Sequence, residues 1–289
     1  MSIRILTDSC CDLPLEYLKA HSDVVSFIGM PITVGERRFR DDLGENESLE
    51  LFYSELSGGL NASTAQITPN EFYEAFKAAC GQGDQVIYIG LSSGLSGTYN
   101  NAVLARQMLQ EEGMSEDIFL VDGMSASIGQ GLMIVNAMVA IESGQSAERI
   151  TEWLNANKYC FHHWFVVDDL HYLKRGGRIP PVLATVGSAL NLKPILTVDD
   201  EGRLVKHANV RGRKKAIKFL LEKFSESQLQ EMRVIIGHGN CLEEAEQIKD
   251  KILEQAPDAQ VMISNLSATI ACHVGPNMLA MAFIAESRI

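Results

Sequence analysis

The sequence predicts an α/β protein of two α/β domains, the N-terminal one on a mostly parallel sheet and the C-terminal one on a mixed sheet. Three observations carry this. Short β-rich runs alternate with amphipathic helical patterns along the chain, the order that parallel pairing through helical crossovers requires. The 289 residues exceed what one hydrophobic core usually serves, so two domains sharing a cleft are expected. Finally, Asp199-Asp200-Glu201-Gly202 stands between two β-rich runs as a hairpin turn would, which adds an antiparallel element to the second half.

In order, the buried strands are expected at Ile3–Leu6, Val24–Phe27, Val86–Ile89, Ile118–Val121, Phe161–Val167, Ile195–Val198, Val234–Ile236 and Val261–Ile263, each a short apolar run rich in β-branched or aromatic residues. Helices are expected at Leu49–Leu56, Thr98–Glu111, Gly129–Glu142, Ala147–Asn157, Arg213–Phe224 and Leu242–Gln255. A further helix opens at Thr68-Pro69-Asn70-Glu71 and runs to about Cys80. That tetrad is a capping box with proline at the first helical position, where its missing N–H costs nothing. The boundary between the domains, residues 1–157 and 158–289, falls near Asn155–Tyr159.

Composition excludes several classes. Lys and Arg number 25 against 37 Asp and Glu, a net charge of −12, which leaves no general basic face for neutralising nucleic-acid phosphates. No uncharged apolar run approaches the ~20 residues needed to span a bilayer, and Met1-Ser2-Ile3-Arg4-Ile5-Leu6-Thr7-Asp8 has no signal-peptide core. A cytoplasmic protein without stable membrane insertion is therefore expected. The cysteines Cys10, Cys11, Cys80, Cys160, Cys241 and Cys272 form no CxxC pair and are read as reduced thiols.

The stretch Gly90-Leu91-Ser92-Ser93-Gly94-Leu95-Ser96-Gly97-Thr98-Tyr99 follows a strand and precedes a helix. Its glycines and hydroxyls read as a loop that presents donors to an anion rather than as a plain connection. Gly90-Leu91-Ser92-Ser93-Gly94 also matches the G-x-S-x-G elbow of serine hydrolases, with Ser92 as nucleophile and His238 or His273 as base. Against this enzymatic alternative, the elbow's helix should start directly after the nucleophile, and here the loop continues. Thr64, in Ser63-Thr64-Ala65-Gln66, stands near the Thr68 cap, where it either reaches a ligand at the helix N-terminus or satisfies its own backbone. His273, in a turn between apolar runs, and the glycine-flanked His238 read on spacing alone as satisfied loop or core residues.

His162 and His163 are adjacent, so on a strand they point to opposite faces and share no metal. Neither a Walker A loop nor a complete G-x-G-x-x-G after a strand is present, Gly81-Gln82-Gly83 preceding its strand. No metal, cofactor or nucleotide is expected. Two basic segments, Leu173-Lys174-Arg175-Gly176-Gly177-Arg178 and Val210-Arg211-Gly212-Arg213-Lys214-Lys215, stand out from the acidic whole. Cations at a helix start oppose its dipole, and a phosphate or acidic partner would compensate them.

Taken in order, six motifs spread over essentially the whole chain resemble the DegV family of bacterial fatty-acid-binding proteins, the B subunits of fatty acid kinase. They are Asp8-Ser9 with Asp12-Leu13-Pro14, Ser63-Thr64-Ala65-Gln66, Ser92 to Tyr99, Asp169-Leu170 with Tyr172-Leu173-Lys174-Arg175-Gly176-Gly177-Arg178-Ile179, Lys193-Pro194-Ile195-Leu196, and His273-Val274-Gly275-Pro276. Two departures from the family pattern are Ala65-Gln66-Ile67-Thr68 after Thr64 and Asn277 after Pro276. The resemblance implies two α/β domains enclosing an apolar lipid tunnel, with no cofactor beyond the bound long-chain fatty acid. It implies that Thr64, Ser96 and His273 hold the carboxylate. It further implies a carrier rather than an enzyme, whose partner, the kinase A subunit, binds ATP and phosphorylates the presented acid. Arg178 and Arg211 then belong to the partner-facing phosphotransfer surface.

Overall fold

In the computed structural model of the chain, residues 2–81, 83–114, 116–168, 170–184, 191–227, 229 and 231–288 are described; Gln82 and Asp169 of the motifs above lie outside them. The chain opens with β1 (Ile3–Asp8), α1 (Leu15–Ala20), β2 (Val25–Ile28), β3 (Pro31–Val34), β4 (Arg37–Arg40), α2 (Leu49–Ser57) and β5 (Ala62–Thr64). Then come α3 (Pro69–Cys80), β6 (Gln85–Gly90), α4 (Thr98–Glu111), β7 (Ile118–Asp122), α5 (Ile128–Glu142) and α6 (Ala147–Asn157). The second half runs β8 (Phe161–Val166), α7 (His171–Arg175), α8 (Pro181–Ala184), β9 (Leu192–Val198), β10 (Leu204–Arg211) and α9 (Arg213–Glu226). It ends with β11 (Arg233–His238), α10 (Leu242–Gln255), β12 (Gln260–Asn265), α11 (Ala268–Val274) and β13 (Leu279–Ile284).

Helix starts follow local chemistry. Thr68 and Glu71 form the reciprocal capping box, Glu71 accepting from Thr68 N at 2.8 Å. Ser48, Ser146 and Ser267 cap α2, α6 and α11 by accepting backbone N–H groups.

The parallel sheet has the order β2-β1-β6-β7, with Ile5 aligned between Val25 and Ile87. The mixed sheet has the order β10-β9-β8-β13-β11-β12, and only the β11–β12 pair is parallel. The turn at residues 199–202 joins β9 to β10 as a hairpin.

Between the two sheets lies α5, which packs against β1 and β6 on one side and β8, β11 and β13 on the other. Every residue from Ile128 to Met138 is buried, so this helix is not amphipathic as its pattern predicts but enclosed in core on every side, with the polar Gln130 and Asn136 hydrogen-bonded there. Its Cα path joins the two halves of the protein through one continuous hydrophobic cluster.

Four strands carry no clear signal in the sequence pattern. β3, β4 and β5 make a small antiparallel sheet in the order β4-β3-β5. β4 reads Arg37-Arg38-Phe39-Arg40, which hides a strand behind charge; Arg37 is neutralised by Glu47 and Glu55. β13, fully buried at the centre of the mixed sheet, is built on Leu, Ala and Met with little of the β-branched bias that marks strands. Thr64 is the last residue of β5 in this small sheet.

Carboxylates from the first half fasten α11 in place. Asp12 accepts from Ser267 N at 2.8 Å and from the Ser127 hydroxyl, and Asp41 accepts from Thr269 N at 2.8 Å. Both carboxyls are buried, which raises their pKa, that of Asp12 to about 7, and they act as acceptors for the free N–H groups at the start of the helix. The consequence is a fixed position for His273 one turn further on.

Candidate functional site

Loops at the carboxyl ends of β1 and β6 meet β8, α7 and α11 around a narrow cavity of about 60 Å³. Clefts open at the carboxyl ends of parallel strands because the loops there diverge to opposite faces. Most of the wall is apolar, with Met30, Leu91, Leu95, Ala126, Phe165 and Met278 among its side chains. Thr64, Ser96, Arg178 and His273 reach the same cavity. Four residues from four segments, spread over more than 200 positions of sequence, are thereby brought together.

Thr64 is held by strand pairing to Ile32 on β3 rather than in a loop before α3. His273 lies in the last turn of α11 rather than in a turn. Thr64 Oγ1 and His273 Nε2 are hydrogen-bonded at 2.9 Å, while the buried Nδ1 has no partner among the described residues. Burial, followed by the nearby guanidiniums of Arg178 and Arg175, pushes the His273 pKa down to about 4. At neutral pH the ring is therefore uncharged, a donor on one nitrogen and an acceptor on the other. Gly176 allows this placement: a Cβ there would stand 2.3 Å from His273 Nδ1.

Ser96 is buried, and its Oγ accepts from Thr98 N at 3.2 Å. Thr98 Oγ1 stands 2.9 Å away. With one lone pair engaged by a backbone N–H, the Ser96 hydroxyl can turn its hydrogen either to Thr98 Oγ1 or to an acceptor in the cavity. Ser127, also in the wall, holds φ 55° and ψ −139°, a region that suits glycine and costs a serine about 1–3 kcal/mol. Its hydroxyl bond to Asp12 retains it there.

The loop's glycines serve packing more than anion binding. A Cβ on Gly94 would stand 2.3 Å from Glu201 O, so glycine lets the 199–202 turn lie directly on the serine loop. Ser92 is fully buried and donates to Gly202 O at 2.8 Å while accepting from Gly94 N at 3.1 Å. Its oxygen is thus a staple between loop and hairpin, with no histidine beside it. The hydrolase elbow fails on this geometry, and α4 starts only at Thr98.

His238 is likewise local: its Nδ1 accepts from Cys241 N at 3.3 Å at the end of β11. His162 and His163 do point to opposite faces of β8, His162 to Glu286 O at 2.8 Å and His163 into the cavity wall. Among the described residues, no three His, Cys, Asp or Glu side chains stand close enough to hold a metal ion. No described helix is long and apolar enough to cross a membrane.

The two basic segments separate. Arg178 lines the cavity and also an outer groove that includes Lys174 and Arg203. Its Nε donates to Leu95 O at 3.2 Å and another nitrogen to Gly176 O. Arg211, exposed at the far end of the edge strand β10, is seven residues from Leu204 of the cavity wall, roughly 23 Å along a strand. At the start of α9, Arg213 is compensated from within the chain, by Glu244 at 2.8 Å, rather than by a phosphate or partner.

The sequence reading missed His163 as a cavity residue; its alternation with Phe165 on β8 is the signal that both face one side. It also missed how Asp8 works. That buried carboxylate accepts from Cys10 N, Leu91 N, Tyr88 OH and Gln130 Nε2, pinning both strand ends at the cavity.

Fold and cavity together define an α/β protein of two large sheets and one small one, with an apolar interior pocket carrying neutral hydrogen-bonding groups beside a guanidinium. The family model described as "Uncharacterised protein, DegV family COG1307" matches residues 2–286, and the chain belongs to the DegV family. It is 37% identical to the DegV domain-containing protein YteA of Lactococcus lactis over 295 residues, 99% of each chain. Among solved structures, a DegV family protein from Thermus thermophilus, described for its fatty acid binding, is 28% identical with a TM-score of 0.88, covering 99% of this chain and 100% of that one. DegV of Bacillus subtilis, described as a fatty acid binding protein, is 30% identical with a TM-score of 0.83, covering 99% and 100%.

Proposed function

We propose that this chain binds a long-chain fatty acid in the cavity and presents its carboxylate, in the cytoplasm, to a separate ATP-dependent fatty acid kinase subunit. The observation that carries the reading is the convergence of Thr64, Ser96 and His273 on one apolar cavity. Two hydroxyls and a neutral imidazole can satisfy carboxylate oxygens without the bidentate pairing that an arginine imposes. The carboxylate then remains free to attack the terminal phosphorus of ATP, forming the acyl phosphate as ADP leaves.

Tail burial supplies the affinity at about 0.8 kcal/mol per methylene. A cavity of about 60 Å³ has room for only about five waters, so a long chain enters by moving the wall outward. Met30 and Met278, unbranched and adaptable, are the side chains suited to yield.

Arg178, shared between cavity and outer groove, is placed to meet charge on the transferring phosphoryl group. Arg211 lies too far along β10 for that and serves at most to dock the partner. Arg178→Ala is expected to slow acyl phosphate formation by about 100-fold in a reaction with a fatty acid kinase ATP-binding subunit. Fatty acid affinity should fall far less than that, because Thr64, Ser96 and His273 hold the carboxylate in this reading. Equal losses in both would assign Arg178 to holding the acid instead.

A further inference from the structure

The cavity contains a second polar group that the carboxylate site does not use. Around His273 stand Thr64, Gly176 and the guanidiniums of Arg175 and Arg178. Around His163 stand Phe165, Gly129 and Arg288. His163 is 2% exposed, lies in the cavity wall, and neither ring nitrogen has a hydrogen-bond partner among the described residues. Close by, Ser125 Oγ is also buried and unpartnered; it and His163 Nδ1 lie 2.2 and 3.3 Å from the same point, a Cβ built on Gly129.

Leaving such groups unpaired in an apolar wall is costly, about 1–3 kcal/mol each. Burial pushes the His163 pKa down to about 3, so the ring is neutral at physiological pH, offering one donor and one acceptor. A hydroxyl also offers one of each, and the pair can satisfy one another whichever tautomer the ring adopts. A plain methylene satisfies neither nitrogen.

We infer that His163 forms a subsite for a hydroxyl group carried on the acyl chain away from its carboxylate, so that the protein prefers a hydroxy fatty acid of one positional class over the unsubstituted acid. This rests on the fatty-acid reading above and deepens it, by naming the substrate class. The groups that hold the carboxylate and those that read the chain are then separate, and a substitution at one should leave the other working.

The test is competition on the full chain between octadecanoic acid and a series of monohydroxy-octadecanoic acids, with bound species counted by native mass spectrometry. One positional isomer should be retained at least tenfold over the unsubstituted acid, a factor one satisfied buried hydrogen bond can supply. His163→Phe, which keeps an aromatic ring and removes both nitrogens, should erase that preference while octadecanoic acid still binds. The isomer profile of the unmodified protein tests the idea even if that variant fails to fold. Octadecanoic acid binding as well as or better than every isomer would overturn the subsite and leave the fatty-acid reading standing. Binding of no acid at all would overturn both.

Discussion

Ser96→Ala is expected to weaken fatty acid retention by about 10- to 100-fold. A hydrogen bond to a charged acceptor contributes about 1.5–3 kcal/mol, and each 1.4 kcal/mol is tenfold in affinity. Ser96 lines the cavity and its oxygen is anchored there by Thr98 N, so a bound carboxylate has only to draw the hydroxyl hydrogen from Thr98 Oγ1. Part of the cost falls on the protein itself, since Thr98 N at the start of α4 loses its acceptor, an effect of about 1 kcal/mol on stability. Urea unfolding of Ser96→Ala measures that second cost separately, and Ser93→Ala, at an exposed position of the same loop outside the cavity lining, should change neither affinity nor stability. Exchange of a labelled fatty acid measures the difference; unchanged affinity in Ser96→Ala would remove Ser96 from the site.

The largest effect on stability is expected from Asp8→Ala. The carboxylate is wholly buried and accepts four hydrogen bonds, at 3.1 Å from Cys10 N and Leu91 N, 3.0 Å from Tyr88 OH and 3.2 Å from Gln130 Nε2. Removing it strands Cys10 N, Leu91 N and Tyr88 OH in the core at about 1–3 kcal/mol each, while Gln130 Nε2 keeps Thr7 Oγ1 and Ile89 O, so a loss of at least about 3 kcal/mol is expected in urea unfolding. Asp8→Asn keeps the shape but turns an amide N–H toward some of those donors, and a loss of about 2 kcal/mol is expected. Because Leu91 N anchors the serine loop through Asp8, both variants should also bind fatty acid less well. A loss below about 1 kcal/mol in Asp8→Ala would mean that the three stranded donors find other partners.

Much of the fold was legible because its signals are local. The parallel strands are short apolar runs, and Thr68-Pro69-Asn70-Glu71 marks a helix start by chemistry that needs no tertiary context. What escaped depends on burial rather than pattern. β4 hides its pairing behind three arginines, and β13 hides among Ala and Met because a strand buried on both faces shows no alternation. The site divides in the same way. Thr64, Ser96 and His273 could be chosen only from the order of six motifs, since nothing in their own neighbourhoods says that a small sheet, a loop and a short helix converge. Ser92 misled because G-x-S-x-G is a spacing, and the same spacing arises where glycine is needed for the hairpin to lie on the loop. Arg213 misled for a similar reason, its counter-charge Glu244 lying 31 residues away in sequence.

The most direct measurement is identification of the small molecule that the protein carries when purified from a bacterial host, by native mass spectrometry for bound mass and by solvent extraction for identity. One long-chain fatty acid per chain, lost or reduced in Ser96→Ala, is the predicted result. A stoichiometric ligand that is not a fatty acid, or a protein that purifies empty and fails to take up added fatty acid, would contradict the account.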